Sequence, residues 1–405
     1  MEYQRFDSTG CGFPKPRVPI LAPLSRKSTG QGRSGLFRPF GLNTNARFFT
    51  RGRYALTEAY RLSGVGENGA LLAPAYHCRT MLDPAIRLGA KIMFYALKPD
   101  LSPDLPALAA MLATRQQPVK ALLVTHYFGF AQTLEPLAGF CAEHDITLIE
   151  DCSHALFTKS KINPLKIEGA MGQTGRFCVS SPYKFFPCED GGLLWRNDDA
   201  VLPDDTRQSA PTLAQEAKGV LRSLMSAHHQ NQPLDVTAVD NEIQKLTDTL
   251  TFPGCDVQKQ DIHTSEYYDV SEEHLESLRW SRWIMRHTNL VRLAARRREN
   301  YQRWGNAVAH LPHCAALFPR LPVDCVPYMF PLRLEHPELH FFALKQLGIP
   351  MWRWDDMAVS DCHIASDYRL KIVHLPCHQE LTETQMAWMT TVVNKAMLTL
   401  TPGNK

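Results

Sequence analysis

From residue 48 onward the apolar positions follow two alternating rhythms. Short apolar-rich segments at 70–73 (ending at Pro74), 91–95, 120–125 and 146–150 (running into Asp151) read as strands. Before and between them, 55–62, 84–88, 105–112 and 134–143 read as helices. Strands alternating with helices of this length imply an α/β domain with a largely parallel sheet. Such sheets gather their sites where strands end, at the carboxyl edge. His126 and Asp151 both stand at expected strand ends.

The pattern then weakens. Residues 200–270 are polar and predict little beyond a helix near 211–226. Residues 272–310 predict one long helix, with Leu275, Leu278, Ile284, Leu290 and Leu293 on its apolar side. Its basic run, Arg292, Arg296, Arg297 and Arg298, reads as a solvated face or as a phosphate site. A second α/β unit follows: a strand at 328–334, a helix at 337–347 stopped by Gly348 and Pro350, and a strand at 372–375. It closes on a helix at 382–396, opened by a capping box of Thr382 and Gln385.

Residues 1–47 lack either rhythm. Pro14, Pro16, Pro19 and Pro23 precede Gly30, Gly32 and Gly35, which describes an irregular arm. A loosely ordered tail and an arm wrapping a partner subunit are both open readings. The expected organisation is thus an arm at 1–47, a large domain at 48–270, a connecting helix at 271–310 and a small C-terminal domain at 311–405.

Composition narrows the function classes. The 405 residues exceed one compact core, and 44% hydrophobic with 21% charged content is ordinary for a globular protein. A formal net charge of +3, with no long basic stripe, gives no footprint for nucleic acid. The 11 cysteines form no C-x-x-C pair and no Cys/His cluster of metal-site spacing. Free thiols in a reducing, cytoplasmic compartment are the expectation. No apolar run is long enough for a membrane span, and the first residues do not read as a signal peptide.

Three segments carry the candidate chemistry. One is Ile149-Glu150-Asp151-Cys152-Ser153-His154-Ala155. Another is Ser180-Ser181-Pro182-Tyr183-Lys184, followed by Phe185-Phe186-Pro187-Cys188-Glu189-Asp190-Gly191-Gly192. The third is Thr50-Arg51-Gly52-Arg53-Tyr54, before a helix. Lys184 lies among aromatic residues, an environment that favours a deprotonated, nucleophilic amine. A helix start with glycine attracts phosphate through its backbone N–H groups. An exposed loop lysine, an N-capping aspartate and an ordinary turn are the plainer readings of the same residues.

In order and spacing these segments, with Leu375-Pro376-Cys377-His378-Gln379-Glu380-Leu381 near the end, resemble the DegT/DnrJ/EryC1/StrS family. That family is the sugar aminotransferase branch of the fold-type I enzymes that use pyridoxal 5′-phosphate (PLP). The resemblance runs from about Phe48 to Ala396. It implies an aspartate aminotransferase-like α/β fold and a homodimer. Lys184 would be the Schiff-base lysine and the acid–base group. Asp151 would pair with the pyridine nitrogen and keep it protonated. His154 would lie near the ring and its hydroxyl. Ser181, with Ser180 as its rival, and the turn of Gly52, Arg53 and Tyr54 would bind the phosphate.

The chain departs from the family pattern where a ring-stacking aromatic is usual. Cys78 aligns there, with His77 and Tyr76 beside it, and Cys78 also reads as a buried structural thiol. No N-Y-R-M segment is visible, although Glu266-Tyr267-Tyr268-Asp269 lies near its expected place. The expected activity is an aminotransferase moving an amino group from an amino acid, glutamate in this family, to a keto acceptor such as a nucleotide-linked sugar. Another PLP reaction (lyase, decarboxylase or retro-aldol) and a non-catalytic regulator of the same fold remain as alternatives. Trp352, Arg353 and Trp354 read as small-domain packing or as part of the substrate entrance, and His126 as a pocket-lining or backbone-bonding residue.

Overall fold

The computed structural model describes residues 1–28, 46–114, 117–155, 171–198, 200–203, 208–228, 234–249, 257–261 and 267–402. The α/β architecture expected from the apolar rhythm is present. A seven-stranded sheet runs in the order Arg47–Phe49, Gly192–Arg196, Phe177–Ser180, Thr147–Asp151, Val119–Thr125, Ala70–Pro74, Ile92–Tyr95. The last five strands in that order are parallel neighbours, and the first two are antiparallel to what they pair with.

Alternate residues of these strands face opposite layers. Leu71, Ala73, Leu123, Ile149 and Val179 pack under helices Gly52–Leu62 and Arg79–Arg87. Leu72, Leu122, Val124 and Leu148 face a second core, which continues through Phe185, Tyr328 and Phe330 into the C-terminal part. That part holds a four-stranded antiparallel sheet in the order Cys314–Ala316, Met329–Leu334, Ile372–Pro376, Trp352–Arg353. Helix Glu383–Thr399 covers it, opened by the capping box: Thr382 Oγ1 accepts from Gln385 N at 3.2 Å, and Gln385 Oε1 accepts from Thr382 N at 3.0 Å.

Three expectations need correction. The long helix at 271–310 is two helices, Arg279–His287 and Leu290–Val308. Thr288 is extended, and Asn289 caps the second helix by accepting from Arg292 N at 3.0 Å. Asparagine competes for backbone donors this way, so a capped break displaces a continuous helix.

The helix expected at 84–88 begins at Arg79, after the extended residue Cys78. Pro84 lies inside it and marks no start.

The described part of the arm is also neither a loose tail nor detached. Glu2–Phe6 is the central strand of a three-stranded sheet with Met357–Ala358 and Val257–Asp261. Farther on, Pro19 O accepts from His378 Nε2 at 2.9 Å, and Ser25 Oγ donates to Glu380 at 2.6 Å. Backbone pairing and these side-chain bonds supply what the arm's own sequence lacks. Gly30, Gly32, Gly35 and Glu266 lie outside the described residues.

Candidate active site

Asp151 ends the strand Thr147–Asp151 at the carboxyl edge of the sheet. The chain turns there because Asp151 Oδ1 accepts from Ser153 N at 2.8 Å. This brings Ser153 next to Ser181, whose Oγ donates to Ser153 Oγ at 3.0 Å. The rival, Ser180, is occupied instead with Cys152 O at 3.3 Å.

The start of helix Gly52–Leu62 closes over the hydroxyl pair. A Cβ on Gly52 would lie 2.2 Å from Ser181 Oγ, so a larger residue there would displace that hydroxyl. In helix geometry the N–H groups of Gly52 and Arg53 have no acceptor within the helix. Tyr54 differs from expectation. Its N–H is taken by Arg51 O at 3.2 Å, and its ring packs edge-on against Tyr268 at 5.1 Å. Tyr268 in turn shares a 2.7 Å hydrogen bond with Thr57 Oγ1. The candidate phosphate cradle therefore rests on Gly52, Arg53, Ser153 and Ser181.

Lys184 follows the strand Phe177–Ser180 in a single helical turn, Pro182–Lys184, and is half-buried. Its Nζ lies 5.5 Å from the centre of the Tyr328 ring. Burial holds the imidazole of His154 well below its ordinary range, with the Lys184 charge adding to the effect. His374 is pushed down to about 3 by the same two causes. The Cys78 thiol is raised by burial, eased by Lys184 and raised again by Asp151. Lys184, Asp151, His154 and Cys78 are therefore electrostatic neighbours in one place.

His154 is neutral, and its proton can be placed. Nδ1 accepts from Phe128 N at 3.4 Å, which leaves Nε2 as the N–H donor. Phe128 makes this possible by adopting the left-handed φ of 57°, uncommon outside glycine. The following Gly129 has φ of 101°, and a Cβ there would meet Val326 O at 2.5 Å. Phe128 O then accepts from Tyr328 N at 2.8 Å, tying the strand end to the small domain.

His77 does not join the site. Its Nδ1 donates to the carbonyls of Pro74 and Ala75, at 3.1 and 3.0 Å, and its Nε2 accepts from Ala358 N at 3.2 Å. With the ring stacked on Phe94, no polar atom of His77 remains for a ligand. His126 is likewise internal. It donates Nε2–H to Glu150 at 3.0 Å and accepts from Gln132 N at 3.0 Å. Glu150 also collects the amides of Gly172, Thr174 and Gly175, which fix the loop before Phe177–Ser180. The His126 bonds and those amides hold its carboxyl below the usual range although burial opposes them.

Two contributors carry no local sequence signal. Arg297 sits in the basic run but is fully buried. Its guanidinium donates to the carbonyls of Lys184 (3.1 Å), Phe185 (3.4 Å), Pro327 (3.2 Å) and Tyr328 (2.9 Å), and to Gln379 Oε1 (2.9 Å). Arg292 instead pairs with Glu380, Arg296 with Glu299 and Glu383, and Arg298 caps the carbonyls of Pro322 and Cys325. Neither a wholly solvated face nor a phosphate site describes this run.

Tyr328 is the second contributor. Its ring stacks on His154 at 4.5 Å, and its buried hydroxyl has no hydrogen-bond partner. Half-buried Trp354 lies 5.4 Å from His154 and 5.0 Å from Tyr76, bordering the same neighbourhood, whereas Trp352 is exposed.

These residues fit PLP. A lysine amine and a carboxylate both act on the Cys78 thiol, a neutral imidazole offers one N–H, and a glycine helix start faces two hydroxyls. The unpartnered Tyr328 hydroxyl is a buried polar atom of the kind that a bound group satisfies.

Comparison with known proteins agrees. Residues 37–213 match the model of the DegT/DnrJ/EryC1/StrS aminotransferase family, which bears out the resemblance carried by the three segments. Among curated proteins, a "Pleiotropic regulatory protein" of Geobacillus stearothermophilus is 23% identical over 235 residues, 56% of this chain and 57% of that one. The UDP-4-amino-4,6-dideoxy-N-acetyl-beta-L-altrosamine transaminase of Campylobacter jejuni is 27% identical over 148 residues, 36% of this chain and 38% of that one. The match thus spans little more than half of the first relative and less of the second.

Solved structures agree over more of the chain. Helicobacter pylori PseC, an aminotransferase involved in the biosynthesis of pseudoaminic acid, superposes with a TM-score of 0.62 at 16% identity, covering 96% of this chain and 100% of that one. The aminotransferase TlmJ from Streptoalloteichus hindustanus gives 0.61 at 16% identity, covering 94% and 99%. At this identity the likeness establishes the fold.

Proposed function

We propose that this protein is a PLP-dependent aminotransferase, with Lys184 as the residue that binds the cofactor covalently. The observation that carries the reading is the position of Lys184. Its half-buried amine stands over Tyr328 and among two neutral imidazoles, on a loop whose carbonyls are held by a buried arginine.

Asp151 would hold the pyridinium, His154 Nε2–H would donate to the ring hydroxyl, and Ser181 with the Gly52 helix start would take the phosphate. The bound cofactor supplies an electron sink for charge developing on the substrate carbon. Lys184 Nζ would be the base that takes the donor's α-proton and the acid that returns it. His154 and His374, held neutral, add no positive charge to compete with that amine.

An amino acid donor, glutamate first, and a keto acceptor such as a nucleotide-linked sugar complete the reading. Support comes from the family match and from the named reactions of the relatives. A homodimer follows from the same resemblance, and a cytoplasmic location from the expectation of free thiols. Among the described residues, no helix is long and apolar enough to cross a membrane.

The test is an absorbance spectrum of purified protein with PLP, before and after borohydride, beside Lys184→Ala. A visible band that borohydride fixes to Lys184, and that L-glutamate converts to the amine form of the cofactor, supports the aminotransferase. Borohydride labelling with no conversion by any amino donor points to another PLP reaction. A colourless protein with excess PLP favours the non-catalytic alternative, a regulator like the one that the Geobacillus relative's name describes.

A further inference from the structure

The strand Met329–Leu334 begins just after Tyr328, beside Lys184, and Glu335 follows its far end. Six extended residues span about 20 Å, so its far end is a separate region. Three histidines and two carboxylates meet there. Cys314 pairs with Leu334 at the end of the ladder, and Glu335 N donates to His313 O at 2.9 Å. His336 stands just before the helix Pro337–Gln346 without a side-chain capping bond, and His340 follows one turn later on that helix.

The ligand atoms of His313, Glu335 and His336 all lie within 4.8 Å of one another. His313 Nδ1 is 3.5 Å from a Glu335 oxygen, and His336 Nδ1 is 3.4 Å from a Glu338 oxygen. Two imidazoles and a carboxylate converging on one point form a donor set suited to zinc.

Two further observations separate this corner from ordinary surface ion pairs. His340 is fully buried and donates Nε2–H to Leu400 O at 3.0 Å. That bond leaves a lone pair on Nδ1, which is buried with no hydrogen-bond partner. An imidazole with one nitrogen tied to a carbonyl and the other bare is arranged as a metal ligand is. Its ring lies 5.5 Å from that of His313 and 6.2 Å from that of His336. His313 also holds a left-handed φ of 63°, a costly conformation for a residue other than glycine, with its ring 5.4 Å from that of His336.

The geometry points to a site for one divalent ion of the zinc class, bound by His313, Glu335 and His336 beside the buried ring of His340. Zinc bonds of about 2.0–2.2 Å require the exposed Glu335 and the half-buried histidines to draw inward. The ion ties the hairpin end to the start of the helix and takes no part in chemistry at Lys184.

Tag-free protein titrated calorimetrically with Zn²⁺ alone, near neutral pH, tests this. Wild type is expected to bind one saturable equivalent. The double variant His313→Ala/His336→Ala, altered at partly exposed positions, is expected to bind at least about tenfold more weakly. Co²⁺ should give the visible bands of a four-coordinate nitrogen–oxygen site in wild type and lose them in the double variant. Affinity should fall below about pH 6.5, as protons compete for the imidazoles. Borohydride labelling at Lys184 should be equal in both proteins, so this reading and the cofactor reading fail separately. No saturable Zn²⁺ binding by wild type, or binding undiminished in the double variant, overturns the site.

Discussion

Arg297 Nη2 donates to the carbonyl of Lys184 at 3.1 Å across 113 residues of sequence. The same guanidinium reaches Tyr328 O at 2.9 Å, so one buried cation holds the lysine loop and the small-domain strand together. It is a positioning residue: it touches the backbone of Lys184 and not the amine. Burial lowers its own pKa to about 10, and it remains charged at neutral pH.

Arg297→Met should therefore cost about 3 kcal/mol or more of stability, because several buried carbonyls lose their donor together. Urea denaturation reads the loss. Arg297→Lys should recover only part of it, since one ammonium cannot span the same set of acceptors. Equal stability of wild type and the methionine variant would refute the clamp.

Tyr328→Phe isolates one hydroxyl. That group is buried and unpartnered, so its removal should leave the cofactor-free protein as stable or more stable. With PLP present, the half-saturating concentration should rise about tenfold, the worth of one buried hydrogen bond. Thermal melts with and without cofactor show both effects. Unchanged cofactor affinity would make Tyr328 a packing residue.

Gly52→Ala places a methyl group 2.2 Å from Ser181 Oγ. Ser181 Oγ must then turn aside, which breaks up the hydroxyl pair at the helix start. PLP affinity should drop at least about tenfold, while affinity for pyridoxal, which lacks the phosphate, changes far less. An equal loss for both ligands would place the phosphate elsewhere.

Acid should destabilise the fold through buried histidines. Burial lowers His77 to about 4, His378 to about 4 and His374 to about 3. Unfolded histidines titrate near 6.5, so below that pH the unfolded chain binds protons that the folded chain refuses. Stability conferred by these groups is complete above about pH 6.5 and is lost as pH falls toward 4 and below. Each contributes up to about 1.4 kcal/mol per pH unit in that window. Denaturant melts from pH 7 to pH 4.5 should show the decline, and a flat profile would contradict the assigned burial.

The large-domain elements were legible because its helices bury one face, leaving spaced apolar positions, while its strands are buried on both faces and leave short apolar-rich runs. Asp151, Ser181 and Lys184 could be named as candidates from the sequence, since each stands in a short segment whose spacing carries the family resemblance. His77 and Tyr54 sit in equally suggestive segments. Their neighbours in space, Phe94 and Ala358 for one and Tyr268 for the other, turned them toward the core. The break at Thr288 was hidden because the apolar spacing continues through it.

By itself the sequence determined the α/β class, the capping box at Thr382 and the order of the chemical segments, all properties of neighbours along the chain. Tertiary structure alone decided that Arg297 is buried, that Tyr328 meets Lys184, and that His313, Glu335 and His336 share a corner. Those outcomes depend on which side chains and carbonyls converge from distant segments, and burial of a charge or hydroxyl is set by that convergence.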